Sequence, residues 1–282
     1  MKKIVALTLT LAMAFSMVAC GAKTEEAPAA TEEVVVETTE EVATEETTDA
    51  ETEATADAES AATADVKSEG VMTYEEYAAA ELDTEVVVET YVQAKQSWWE
   101  DKATVYTQDK DGAYFLYELA CSEEDYAKLV PGTKIRVNGY KAEWAGEVEI
   151  VEATFEILEG SYIAEAEDMT ALLASEELIN HQNKFVAFKG MTVEASKDAE
   201  GNDVAFLYNW DGSGEDGNDL YFNVSLDGQT YTFTVESYLC DNTTDVYAAV
   251  KNLQIGDVVD MEGFLYWYEG VNPHITSLTV VE

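Results

Sequence analysis

Beyond residue 70 the chain is a succession of short runs in which β-branched and aromatic residues alternate with polar ones, broken by Gly and Asp turn signals. Alternating runs punctuated in this way predict β-hairpins. Strands are expected over 85–92, 103–108 and 113–119, with a tight turn from Asp109 to Gly112 between the last two. A helix follows over 122–130, then strands over 134–140 and 148–158. The same order comes round again: strands over 184–194, 220–225 and 230–236, with a turn at Leu226-Asp-Gly228, a helix over 245–253, and strands over 258–265 and 274–281. Each copy is preceded by a short helix. Thr73-Tyr-Glu-Glu76 reads as a capping box opening the first, and Asp168 caps one expected over 169–180.

The two copies share a register. Gly132, Gly139 and Gly146 are spaced seven and seven, and so are Gly256, Gly263 and Gly270. Leu129-Val-Pro-Gly132 aligns with Leu253-Gln-Ile-Gly256, and Asn138-Gly-Tyr140 with Glu262-Gly-Phe264. Cys121 and Cys240 fall at the matching end of the third strand, in different domains, so both are expected as small buried apolar residues rather than as a disulfide. Three strands, a helix and two strands is the order of the five-stranded Greek-key OB barrel. The expected fold class is therefore mainly β: two tandem five-stranded OB-type Greek-key barrels, over 72–160 and 161–282, each preceded by a short helix. The stretches from Tyr106 to Tyr117 and from Leu129 to Tyr140 resemble the OB domains of secreted bacterial lipoproteins and surface nucleases. Residues 72–282 as a whole resemble tandem-OB surface lipoproteins of gut Firmicutes that have no assigned activity. The resemblance implies a fold, since the OB module of those nucleases is an accessory and no nuclease active-site pattern occurs in this chain.

The N-terminal quarter is different in kind. Met1-Lys2-Lys3 precedes an uncharged apolar run from Ile4 to Val18, too short to span a bilayer comfortably but suited to a secretory signal peptide over 1–19. The run ends in Met17-Val18-Ala19-Cys20-Gly21, which resembles the bacterial lipobox. That resemblance implies that Cys20 is the acylated first residue of the mature protein, anchored in the lipid bilayer at the extracellular face of the cytoplasmic membrane, as in Gram-positive bacteria. Residues 20–71 are built from Thr, Glu, Ala, Val and Asp. A segment so poor in apolar bulk cannot offset its ordering entropy, so a disordered acidic tether is expected.

Charge changes the picture further. Fifteen Lys and Arg stand against 58 Asp and Glu, for a net charge of −43, and Arg136 is the only arginine. Binding by phosphate neutralisation needs clustered cations, so the composition opposes nucleic acid as a partner. With two histidines, and no Gly-rich phosphate loop, nucleophile elbow or metal motif, neither an enzyme nor a cofactor is expected.

The candidate chemistry is aromatic. OB ligands usually lie across the second and third strands, between the strand 1–2 and strand 4–5 loops. All five tryptophans fall in or beside those loops: Trp98, Trp99 and Trp144 in the first copy, Trp210 and Trp267 in the second, with Tyr266 and Tyr268 beside the last. Such rings either plug the barrel ends or offer flat faces for stacking on sugars or bases. His274, at the start of the last strand near this loop, joins the candidates, whereas His181 reads as structural. Asp211, Glu215, Asp216 and Asp219 lie in a flexible oxygen-rich insertion, a weak calcium candidate that fails the EF-hand spacing because Asp216 stands where glycine belongs. The function expected first is a non-catalytic surface module binding a glycan; the alternative is an interaction or assembly component contacting another envelope protein.

Overall fold

Alternation at period two closes two barrels, one after the other, in a computed structural model that describes residues 67–281. The signal run, Cys20 and nearly all of the acidic tether lie outside the described residues. In the first barrel, β1 (Glu85–Lys95), β2 (Lys102–Gln108), β3 (Ala113–Ala120), β4 (Thr133–Trp144) and β5 (Glu147–Ser161) close in the order β1-β2-β3-β5-β4. Every pairing is antiparallel except β3 with β5, where Phe115 lies opposite Glu149. The second barrel repeats this with β6 (Phe185–Glu194), β7 (Leu220–Leu226), β8 (Gln229–Val235), β9 (Val258–Phe264) and β10 (His274–Val281). Its order is β7-β8-β10-β9-β6, and β6 returns to β7 through pairs such as Val224 with Val193. Again the third and fifth strands make the one parallel contact, Thr234 opposite His274. This is the OB-type Greek-key barrel, twice.

One half of each alternation fills the barrel. Val86, Val88, Val105, Tyr114, Leu116, Ile135, Val137 and Ile150 are fully buried in the first; Val186, Phe188, Phe222, Val224, Phe233, Val235, Val259 and Ile275 do the same in the second. Each such side chain contributes about 1.5–3 kcal/mol by leaving water. Cys121 and Cys240 are both buried and free, as their equivalence requires.

The repeated glycines have a shared cause. Gly139 and Gly263 sit where the fourth strand shifts register against the fifth. A Cβ on Gly139 would lie 2.7 Å from Ile150 Cγ2, and one on Gly263 only 2.2 Å from the His274 carbonyl oxygen. Backbone approaches side chain or backbone there so closely that only hydrogen fits.

The helices are shorter than the pattern suggests. α1 (Tyr74–Ala79) opens with the full capping box: Glu76 N–H donates to Thr73 Oγ1, and Thr73 N–H donates to the Glu76 carboxylate. α2 spans Glu123–Tyr126, and α3 spans Asp245–Lys251 with Thr244 as its cap. The helix expected over 169–180 is not one helix but two 3-10 turns, Thr170–Leu172 and Glu176–His181. Asp168 still caps the first turn, its Oδ1 accepting from Thr170 N–H, but its backbone joins a two-residue strand parallel to β6, and Ser175 restarts the chain by accepting from Glu177 N–H. The broken path lets Met169, Leu173 and Leu178 all point into the second core.

The barrels are joined by a small core of their own. Tyr106 and Phe115 of the first meet Phe264 of the second, and the Tyr106 and Phe264 rings stack at 4.5 Å. Around it the linker residues clamp the first barrel: Val148 N–H donates to Gln182 Oε1, Gln182 Nε2 to the Gly146 carbonyl, and Asn183 Nδ2 to the Val148 carbonyl. From the second barrel Trp267 N–H donates to Glu147 Oε2 at 2.9 Å.

Candidate ligand-binding cleft

The other half of the alternation on β8 turns away from the core. Thr232, Thr234 and Glu236, with Tyr221 of β7, form one wall of a cleft of about 900 Å3. The β6–β7 connection adds Trp210 and Asp219; the β9–β10 loop adds Tyr266, Tyr268, Glu269 and Asn272, and His274 lies at the start of β10. These are the second and third strands and the two loops between which OB ligands lie. The first barrel supplies the facing wall: Phe115 and Tyr117 of β3, Glu149 of β5, Trp144 at the end of β4, and Gln96 just past β1. The volume suits a small molecule or a few units of a polymer.

The lining is aromatic and acidic. Four carboxylates, Glu149, Asp219, Glu236 and Glu269, reach it, and among the described residues that line it there is no Lys, Arg, Ser or Cys. Burial, and secondarily the nearby Asp219, push the Glu236 carboxyl up to about 7. Burial and then Glu118 do the same to Glu149, also to about 7. Asp219 is held by its Oδ1, which accepts from both the backbone N–H (2.8 Å) and the hydroxyl (2.7 Å) of Ser237. Glu236 Oε1 accepts from Tyr238 N–H, but Glu236 Oε2 has no partner although the residue is nine-tenths buried. His274 is pushed down to about 3 by burial, so its imidazole is neutral, and its Nδ1 shares a hydrogen bond with the Tyr106 hydroxyl at 2.6 Å. The His274 ring stacks on Tyr266 at 4.2 Å. The arrangement offers stacking faces and hydrogen-bond acceptors.

The aromatic candidates divide. Trp144 (56 % exposed), Trp210 (74 %) and Tyr268 (47 %) stand on the rim with their faces wet, while Tyr266 and His274 form the deeper wall. Trp144 and Tyr268 come from different barrels, and their centroids are 5.2 Å apart. Three expected residues are elsewhere. Trp98 is half-buried and staples its loop by donating from Nε1 to the Cys121 carbonyl; Trp267 packs against the second core; Trp99 is exposed but away from the cleft. The four loop carboxylates do not converge as a calcium site would. Asp211 accepts from Ser213 N–H within its own turn, Asp216 pairs with Lys251 and Asn242, and Asp219 turns to Ser237. Among the described residues no group of three or more His, Cys, Asp or Glu is placed to hold a metal.

Sequence reasoning passed over Tyr117, Glu149, Tyr221, Thr232, Thr234 and Glu236. For those on β7 and β8 the signal was present, since they are the outward half of a strand pattern whose inward half is plain. For Tyr117 and Glu149 there was none, because only the packing of one barrel on the other turns them towards the site.

No family model matches the chain, and no curated protein matches it. Solved structures do, as fold likenesses. The tetrameric p202 HIN2 is 12 % identical, with 72 % of this chain and 96 % of that one covered, at a TM-score of 0.30. A murine DNA-binding protein bound with double-stranded DNA is 9 % identical, covering 70 % and 95 %, at 0.32. A Replication Protein A heterotrimer bound to single-stranded DNA is 11 % identical, covering 75 % of this chain and 52 % of that one, at 0.31. The sequence-based exclusion of nucleic acid is corrected on this finding: structures similar to this chain hold double- and single-stranded DNA. Composition bears on phosphate neutralisation alone, whereas aromatic rings can also stack on bases.

Proposed function

We propose that the chain is a non-catalytic binding module whose inter-barrel cleft takes a glycan, displayed at the extracellular face of the membrane on acylated Cys20. The observation that carries the binding reading is the cleft itself: three exposed aromatic faces, Trp144, Trp210 and Tyr268, stand over a wall of buried acceptors at the OB ligand position. A pyranose ring presents an apolar C–H face to an aromatic ring and hydroxyl donors at its edge. Carboxylates such as Glu149 and Glu236 accept from such donors more strongly than neutral groups do.

The test is intrinsic tryptophan fluorescence of the full-length protein in detergent, titrated with cell-wall and plant polysaccharides and with a single-stranded oligonucleotide. A saturable change with a glycan, weakened about ten-fold or more by Trp210→Ala, is expected. A saturable change with the oligonucleotide alone would assign the cleft to bases instead. The anchor is checked separately: Cys20→Ala should abolish palmitate labelling and release the protein from the membrane fraction, and retention there would sink the lipid reading.

A further inference from the structure

One acceptor in the cleft is left unmet by the protein itself. Glu236 lines it, is nine-tenths buried, and keeps Oε2 without any donor. A buried acceptor without a partner is destabilising, and more so when charged. Asp219 also lines the cleft, and its like charge raises the Glu236 proton affinity. Its own donors, both from Ser237, occupy only Oδ1. The same cleft is lined by Tyr221, Tyr266 and Trp210, and Tyr221 lies close enough to feel both carboxylates and Tyr266 to feel Glu236. Aromatic faces backed by carboxylates attract an ammonium group, through the ring quadrupole and through charge-assisted hydrogen bonds together. Among the described residues no lysine or arginine of the protein itself reaches the cleft to fill that role.

Resting on the glycan reading, we infer that the ligand is an amino sugar whose free ammonium group is held between Glu236 and Asp219, with Glu236 Oε2 as its principal acceptor. The saccharide ring would stack at the rim, where Trp210 and Tyr268 are exposed, while the cation enters the acidic end.

The experiment compares two tetrasaccharides of one skeleton, glucosamine and N-acetylglucosamine, bound to the full-length protein in detergent and followed by calorimetry at neutral pH. The amine form should bind about ten-fold or more tightly than the acetylated form. Glu236→Gln, which retains an acceptor for Tyr238 N–H, should lower affinity for the amine form by far more than for the acetylated form, removing the preference. Equal affinity for both tetramers in the wild-type protein would overturn the ammonium inference while leaving the glycan reading standing. Binding of neither tetramer nor any other glycan would overturn both. A preference that survives Glu236→Gln in a variant with wild-type Tm would overturn the assignment of Glu236. The wild-type comparison decides the charge question even if the variant does not fold.

Discussion

At position 263 a single hydrogen is all the space allows. The Cβ of an alanine there would meet the His274 carbonyl oxygen at 2.2 Å and Ile275 Cα at 2.8 Å, both backbone atoms that cannot step aside without breaking the β9–β10 ladder. Gly263→Ala should therefore destabilise by about 3 kcal/mol or more, lowering Tm by about 5–10 °C in a thermal scan. Its counterpart Gly139 meets a side-chain methyl as well as backbone, so Gly139→Ala should cost less. Both were legible as glycines in register; that they mark a close approach of two strands was not, because the crowding atoms lie on the paired strand, where the register shifts, rather than beside the glycine in the chain. Tyr106 shows the same limit. It reads as one more aromatic of an alternating strand, yet it faces the other barrel and its hydroxyl holds His274 in place. Tyr106→Phe leaves the imidazole nitrogen without its hydrogen-bond partner, a loss of about 1–3 kcal/mol measurable by denaturant midpoint.

Among elements, the short connection between the barrels has more to do than its length suggests. Gln182 and Asn183 place three hydrogen bonds on the β4–β5 hairpin, at Gly146 and Val148, and Asn183 also donates its backbone N–H to the Leu265 carbonyl. Each bond is worth about 1 kcal/mol, and together they oppose rotation of one barrel against the other. The paired variant Gln182→Ala, Asn183→Ala should split unfolding into two transitions in calorimetry where the parent shows one. It should also weaken ligand binding, because the cleft needs both walls. The same stretch is where the expected helix over 169–180 gave way to two turns. Pattern reading follows local capping signals, and here strand pairing by Asp168 and the placement of three core side chains outweighed them.

Across the whole molecule, the buried carboxylates set how stability responds to pH. Glu147 is pushed up to about 9 by its burial between the barrels, and Glu149 and Glu236 to about 7. A carboxyl whose folded value is raised binds its proton more tightly folded than unfolded, so stability declines as pH rises from the ordinary value towards the raised one. Below about 4.5 none of these three groups contributes a penalty; between about 7 and 9 only Glu147 still adds to it. A proton on Glu147 also supplies a donor to a site where Glu147 Oε1 and the neighbouring Asn183 Oδ1 both lack one. Glu147→Gln keeps an acceptor for Trp267 N–H and brings a permanent donor. It should flatten the pH dependence above 7 and raise stability at pH 9 by an amount on the order of a few kcal/mol, read from denaturant midpoints across pH. An unchanged slope would mean that Glu147 is ionised in the folded protein.

The sequence by itself determined the two barrels, because period-two alternation, Asp-Gly turns and a repeated glycine spacing are local properties that any strand order must satisfy. It also assigned Trp144 in the first copy, and Trp210, Tyr266, Tyr268 and His274 in the second, to or beside the loops an OB barrel uses for ligands. Which aromatic is wet and which is core was settled only by the packing: Trp267 turns inward to the second barrel while its neighbour Tyr268 turns out to meet Trp144. The acidic wall belongs to the tertiary structure as well. Glu149 and Glu236 read as ordinary outward carboxylates, and only the folded structure buries both, in a cleft whose two walls lie more than sixty residues apart in the chain.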